Sequence, residues 1–215
     1  MRERASTTSP GRPPAAALEA REAHLLDTAT AEFLEHGYGA ASLSRIARTA
    51  RVSSKTIYAR YADKADLFLA CVQRLTASSK TDIAGLMRDA DADPARILTA
   101  VGTRLARHWV SPRELGLYRL AIAENQRVPE LAEVFRCNAA RYHDLIEAYF
   151  RTLAACAILE IDDFGEAVDH FIQLTRSGIR DQALLGRITP DEALERVVAR
   201  GVRVFLRAYG HRTRS

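Results

Sequence analysis

Five cations stand in the stretch from Gly37 to Ala62 (Arg45, Arg48, Arg51, Lys55 and Arg60), and no carboxylate accompanies them. Side chains of one sign packed so densely suit binding of a polyanion such as DNA better than bond-breaking chemistry. A solvated basic face accounts for them equally well on charge alone. The groups that catalysis needs are missing around them. The sequence holds no HExxH, no phosphate-binding loop and no nucleophile elbow. Gly37-Tyr38-Gly39 is a fragment of a dinucleotide fingerprint, but it follows a helical pattern and not a strand. Glu166 and His170 are spaced i, i+4, as in some metal sites, yet no second pair matches them, so a surface pair is the simpler account. Cys71, Cys137 and Cys156 fit no zinc or redox spacing and read as reduced, mostly buried thiols. The chain is therefore read as a binding protein, not an enzyme, with no cofactor.

Those cations need elements to hold them. The chain has 215 residues, 47% hydrophobic, with a net charge of +4, enough for a packed core without disulfides. Residues 1–17, with Arg2, Arg4 and Arg12 among Ser, Thr, Pro and Gly, read as a flexible basic arm. No apolar stretch follows those arginines as in a secretory leader, and no run of 18 apolar residues exists; both point to the cytoplasm and away from a membrane. From Leu18 the punctuation is helical, with Leu25, Ala29 and Phe33 at four-residue steps up to Gly37. Ser42 can cap a short helix running to about Ala50, and Ser53 or Ser54 another running to about Tyr61. Only about three residues separate them, which is the signature of a helix-turn-helix. Ile46, Val52, Ile57 and Tyr61 are spaced to meet under the turn. Ser54, Lys55, Ala59 and Arg60 are left outside, short or cationic as a DNA groove requires.

Asp63 can cap a helix that starts at Lys64 and reaches into the remainder of the chain. Five further helix starts follow, giving helices over about 94–110, 112–126, 129–157, 163–185 and 190–209. The last two carry broad apolar faces, among them Val168, Phe171, Ile172 and Ile179, then Leu194, Val198, Val204 and Phe205. Such faces serve either a subunit interface or an ordinary intramolecular core. No strand pattern and no repeat are present, so the fold is all-α: an N-terminal three-helix helix-turn-helix unit over 18–64, joined to a larger helical unit over 65–215.

Leu25-Leu26, Ala29, Phe33 and Gly37-Tyr38, then Ser42 and Ile46-Ala47, then Ala50, Val52-Ser53, Ile57-Tyr58, Tyr61 and Lys64, with Asp66-Leu67-Phe68 beyond, form one ordered set. In this set, over about residues 21–70, the sequence resembles the tetracycline-repressor (TetR) family of bacterial regulators. Leu117 to Glu124, followed by Pro129-Glu130-Leu131, resembles the subgroup with AefR-like C-terminal domains. The resemblance implies a homodimer built through the last two long helices, a palindromic double-stranded DNA operator, and release by an unidentified small-molecule effector, with repression as the default. It also implies that the second short helix lies in the major groove. Ser53, Ser54, Lys55 and Tyr58 then touch DNA, Lys55 at a base edge, while Ser42, Tyr58, Arg60 and Lys64 suit phosphates and Arg45 and Arg48 lie nearby. One departure stands out: Arg51 occupies the family's usual turn glycine, so either the turn adapts or Arg51 gains a phosphate.

For the effector, Trp109, Tyr118, Phe135, Tyr142 and Phe171 are the aromatic candidates, with His108, Arg119, Glu124 or His143 as polar anchors. Core packing accounts for each aromatic more readily than ligand contact, and an internal ion pair accounts for Arg119 and Glu124 at least as well as a ligand clamp. An architectural DNA-binding protein without a sensor is the rival reading, and the long C-terminal half speaks against it.

Overall fold

The computed structural model describes residues 15–88 and 93–210. The described chain runs through helices α1 (Ala15–Ala40), α2 (Leu43–Thr49), α3 (Ser54–Tyr58), α4 (Lys64–Leu86), α5 (Pro94–Trp109), α6 (Pro112–Glu124), α7 (Glu130–Ala155), α8 (Phe164–Arg176), α9 (Ile179–Leu184) and α10 (Asp191–Tyr209). Among these residues there is no strand, only an isolated bridge between Leu159 and Gly210. Arg2, Arg4 and Arg12 lie outside the described residues, and α1 begins at Ala15, inside the segment expected to be an arm.

The starts follow side-chain chemistry. Ser42, Ser53, Asp63, Asp93, Ser111 and Asp163 each accept a hydrogen bond from a backbone N–H in the first turn of their helix. Each one satisfies a donor the helix cannot pair internally. Gly37 interrupts α1 at φ 76°, as its position after the apolar run requires. One expectation fails. The span 163–185 is not a single helix: Ser177 (φ 33°) and Gly178 (φ 76°) are both left-handed, so α8 stops at Arg176 and α9 restarts beyond. Two consecutive left-handed residues cannot continue a right-handed helix.

Two hydrophobic cores form, and α4 runs through both. The first gathers Leu25, Ala29 and Phe33 of α1, Ile46 of α2, Ile57 of α3, and Leu67, Phe68, Cys71 and Val72 of α4. It also takes in Leu117 and Ala121 of α6 and Leu131 and Val134 of α7. The second joins Ile83 of α4 to α5, α7, α8 and α10, with Phe150, Phe171 and Phe205 fully buried. The packing therefore divides within α4, not at its first residue. Leu194, Val198 and Phe205 of α10, with Val168 and Phe171 of α8, are spent on this internal core, and Val204 is the large apolar residue of α10 left exposed. Cys71 is buried, but Cys137 and Cys156 are exposed, so the thiols are not mostly buried as expected; all three are free. Glu166 and His170 pair loosely at 4.0 Å on an exposed face, and no cluster of metal-ligand type exists among the described residues.

Candidate nucleic-acid interface and ligand cavity

The reading segment is fixed to α1 by one buried carboxylate. Glu32 accepts the backbone N–H of Ser42 at 2.9 Å and the Arg45 Nε at 2.8 and 3.0 Å, and Arg45 also donates to the Ala40 carbonyl. The Arg45 hydrogen bond holds the Glu32 carboxyl below its usual range, against the opposing effect of burial. Ser53 caps α3, accepting from Thr56 N at 3.0 Å and sharing a hydrogen bond with the Thr56 hydroxyl. Ile57 is fully buried and pins the inner face of α3; Val52 packs against the same core. The outer face carries Lys55, Thr56, Tyr58 and Ala59, all exposed, with Ser54 half-buried. Tyr58 is 58% exposed, an aromatic ring that no internal packing requires.

The expected contact residues fall into two groups. Arg48, Arg51, Lys55 and Tyr58 are exposed and carry no partner among the described residues. Others are engaged internally. Arg45 is held by Glu32, Arg60 pairs with Glu22 at 3.3 Å, and Lys64 donates to the carbonyls of Gly39 (3.0 Å) and Ala41 (3.3 Å) beneath its cation contact with Tyr38. The hydroxyls of Ser42 and Ser53 serve as caps.

A cavity of about 420 Å³ opens between α4, α5, α6, α7 and the α8–α9 break. His108, Trp109, Tyr118, Phe135 and Tyr142 line it as expected, and Arg119, Glu124 and Phe171 do not. Arg119 donates to the carbonyls of Ala183 and Leu184 at the end of α9, both at 2.8 Å. It therefore caps a helix C-terminus, where a cation is favoured. Glu124 forms no pair with it. Phe171 is sealed in the second core between Phe150 and Phe205. His143 faces Glu147 and Asp169, away from the cavity.

The polar wall is made of Glu114, Asn138, Arg176 and Arg180, which the sequence reading did not single out. Arg180 stacks on the Tyr118 ring at 3.6 Å, and its Nη2 lies 3.9 Å from Glu114. His108 Nε2, Glu114 Oε2, Asn138 Nδ2 and Arg180 Nε and Nη2 are all buried without a hydrogen-bond partner. Burial pushes the Glu114 carboxyl up to about 7, partly opposed by Arg180, and pushes His108 down to about 4, assisted by the nearby cations. A larger, shallower groove of about 1100 Å³ lies between α5 and α10, but Arg107 there pairs with Glu195 at 2.7 Å and Asp191 at 3.3 Å. It offers no comparable set of unsatisfied groups.

Residues 25–71 match the family description of bacterial regulatory proteins of the tetR family. Residues 96–211, more than half of the chain, match that of the AefR-like transcriptional repressor C-terminal domain. The chain belongs to the TetR family. Similar structures share the fold across nearly the whole chain. A TetR-family regulator from Mesorhizobium loti is 23% identical, with a TM-score of 0.80, over 89% of this chain and 98% of its own. The flavonoid-responsive regulator FrrA is 25% identical, with a TM-score of 0.72, over 92% of this chain and all of its own. A TetR regulator from Agrobacterium tumefaciens is 26% identical, with a TM-score of 0.69, over 89% and 95%. The HTH-type transcriptional repressor SCO4008 of Streptomyces coelicolor is 39% identical over 56 residues, 26% of this chain and 29% of that protein. The match thus spans less than a third of that repressor's length. Among the described residues, no helix is long and apolar enough to cross a membrane.

In this TetR-family chain, Arg51 adopts the left-handed conformation that favours glycine, at φ 56°. A side chain there costs on the order of 1 kcal/mol. The side chain is exposed.

The cavity gives a pH prediction. The Glu114 carboxyl of the folded protein titrates near 7 against 4.5 for an unperturbed group, so its burial is harmless at low pH and destabilises increasingly as pH rises toward 7. His108 has the opposite sign: it penalises the fold as pH falls from 6.5 toward 4. Replacing Glu114 by Gln removes only the first effect. Chemical denaturation at intervals from pH 5 to 7 should show the variant gaining stability relative to the parent as pH rises. Parallel curves would mean that Glu114 is ionised throughout.

Proposed function

We propose that this TetR-family regulator is a cytoplasmic repressor that binds a palindromic operator as a homodimer, and that a small molecule in the α4–α7 cavity releases it. Residues 18–64 then serve as the DNA-binding unit, 65–215 as the sensing and dimerising unit, and 1–17 as an arm. The observation that carries this reading is the outer face of α3. It offers Lys55 and Tyr58 without partners, on a segment with no carboxylate, while Ile57 anchors the helix beneath. Lys55 is suited to a guanine edge, and Tyr58 with Arg48 and Arg51 to phosphates. Dimerisation is supported by family membership and by α8 and α10, which lie side by side with outer faces open at the surface. Two copies of α3 about 34 Å apart read half-sites one helical turn apart. The flavonoid response in FrrA's name supports an effector role for the C-terminal unit.

Release has a physical route. Leu117 and Val134 pack in the first core, while Tyr118 and Phe135, their immediate neighbours in sequence, line the cavity. A ligand that shifts α6 or α7 therefore presses on the core that carries α2 and α3, and a form with displaced reading heads is selected.

Selection from a random double-stranded DNA pool should enrich one palindrome. Lys55→Ala should weaken it about tenfold and relax one position in each half-site. Enrichment of no sequence, or an unchanged affinity and preference in Lys55→Ala, would overturn the reading.

A further inference from the structure

We propose that the cavity takes a planar aromatic acid, whose carboxylate sits on the Nε–Nη2 edge of Arg180 and whose ring lies among Trp109, Tyr118, Phe135 and Tyr142. This rests on reading the cavity as the effector site, and adds the chemical class of the effector.

The carboxylate follows from the guanidinium. Tyr118 covers one face of Arg180 at 3.6 Å, which leaves its edge to do the binding. The two nitrogens on that edge, Nε and Nη2, are the ones left buried without a hydrogen-bond acceptor. Side by side, they form the fork that a carboxylate fills with two parallel hydrogen bonds. Glu114 does not fill it: its nearest oxygen stays 3.9 Å from Nη2, beyond hydrogen-bond distance. Leaving such donors buried and unmet is unfavourable, so an acceptor of matching shape gains more there than it would in water.

The sign of charge follows from the neighbours. Arg176 and Arg180 both line the cavity, as does Arg136, which is paired with Glu133. Glu114 is the acidic residue of the lining, and its burial favours the neutral acid. A cationic ligand would meet these guanidinium groups and a single carboxyl that burial keeps partly protonated. The ring follows from the walls: Tyr118 and Phe135 meet edge to face at 5.1 Å, and aromatic faces of this kind favour a flat, polarisable guest. A volume of about 420 Å³ admits a molecule of two or three fused or linked rings. Asn138 Nδ2, also unpartnered, is left to donate to a second oxygen on the ligand.

Titration calorimetry on the full chain would use four probes: 2-naphthoate, neutral 2-naphthamide, 2-naphthylmethylammonium and the aliphatic acid decanoate. 2-Naphthoate should bind at least about tenfold more tightly than each of the others. Arg180→Gln should erase its advantage over the amide. Arg180→Lys keeps the charge without the fork and should lose about fivefold for the acid, which keeps the test alive if the Gln variant does not fold. Amide or ammonium binding as tight as naphthoate would overturn the anion, a decanoate preference would overturn the ring, and binding of none of the four would overturn both. The effector reading fails differently: it falls if a broad metabolite library releases no operator from the parent protein, whatever the order among these probes.

Discussion

Operator affinity is expected to fall about a thousandfold between 50 and 200 mM salt, with log K against log salt sloping near −5. The figure comes from sorting the cations of the reading segment. Arg48, Arg51 and Lys55 are exposed without partners, which makes six uncommitted charges in a pair of subunits. Each phosphate neutralised contributes about 0.9 to the slope. Arg45, Arg60 and Lys64 are already engaged with Glu32, Glu22 and two backbone carbonyls. If those three also left their partners for phosphate, the slope would approach about −11. Fluorescence anisotropy of the selected operator across a salt series separates the two cases. A slope near zero would mean that the basic segment is only a solvated face. Lys64→Ala should then act mainly on the seating of α4, with little change in slope.

Phe205→Ala is expected to destabilise the fold by about 3–5 kcal/mol, the largest effect of any single truncation in the second core. Phe205 is fully buried. It stacks on Phe150 at 5.0 Å and on Tyr209 at 4.8 Å, and meets Phe171 edge-on at 5.5 Å. Removing the ring takes away its burial and leaves three aromatic neighbours around a void that rigid helices fill only in part. The loss should lower the thermal midpoint by about 10 °C in a chain of this size. A shift of under about 2 °C would mean that α10 repacks freely. If the proposed pairing through α8 and α10 holds, DNA binding should fail with it at growth temperature, because those helices would no longer hold their outer faces in register.

What the sequence disclosed was local. Ser42 and Ser53 cap the helices they were expected to cap, and Ile46, Ile57 and Tyr61 meet under the turn, because caps and spacing act within a few residues. The cavity was half visible. Its aromatics Trp109, Tyr118, Phe135 and Tyr142 are legible in the sequence, but Arg119, the expected anchor next to Tyr118 in the chain, does not line it. One residue along a helix turns about 100°, so Arg119 points toward α9 instead. Asn138 had a detectable signal: it interrupts the buried stripe Leu131, Val134, Tyr142 and Ile146, where a polar side chain needs a reason. Arg180 had none. It reaches the cavity only because Ser177 and Gly178 break a run whose apolar period continues smoothly through them. Glu32 was missed for a similar reason, since its hydrogen-bond partners Ser42 and Arg45 lie ten or more residues away.

Ala121 belongs to both the first core and the cavity lining. A methyl group there is a party wall one atom thick. If the cavity holds the proposed effector, anyone enlarging it would also be shimming the reading heads, so altered effector choice and altered operator grip should arrive together. Ala139 and Arg176 line the cavity without belonging to that core, and they are the places where chemical preference can be redesigned while the grip on DNA is left alone.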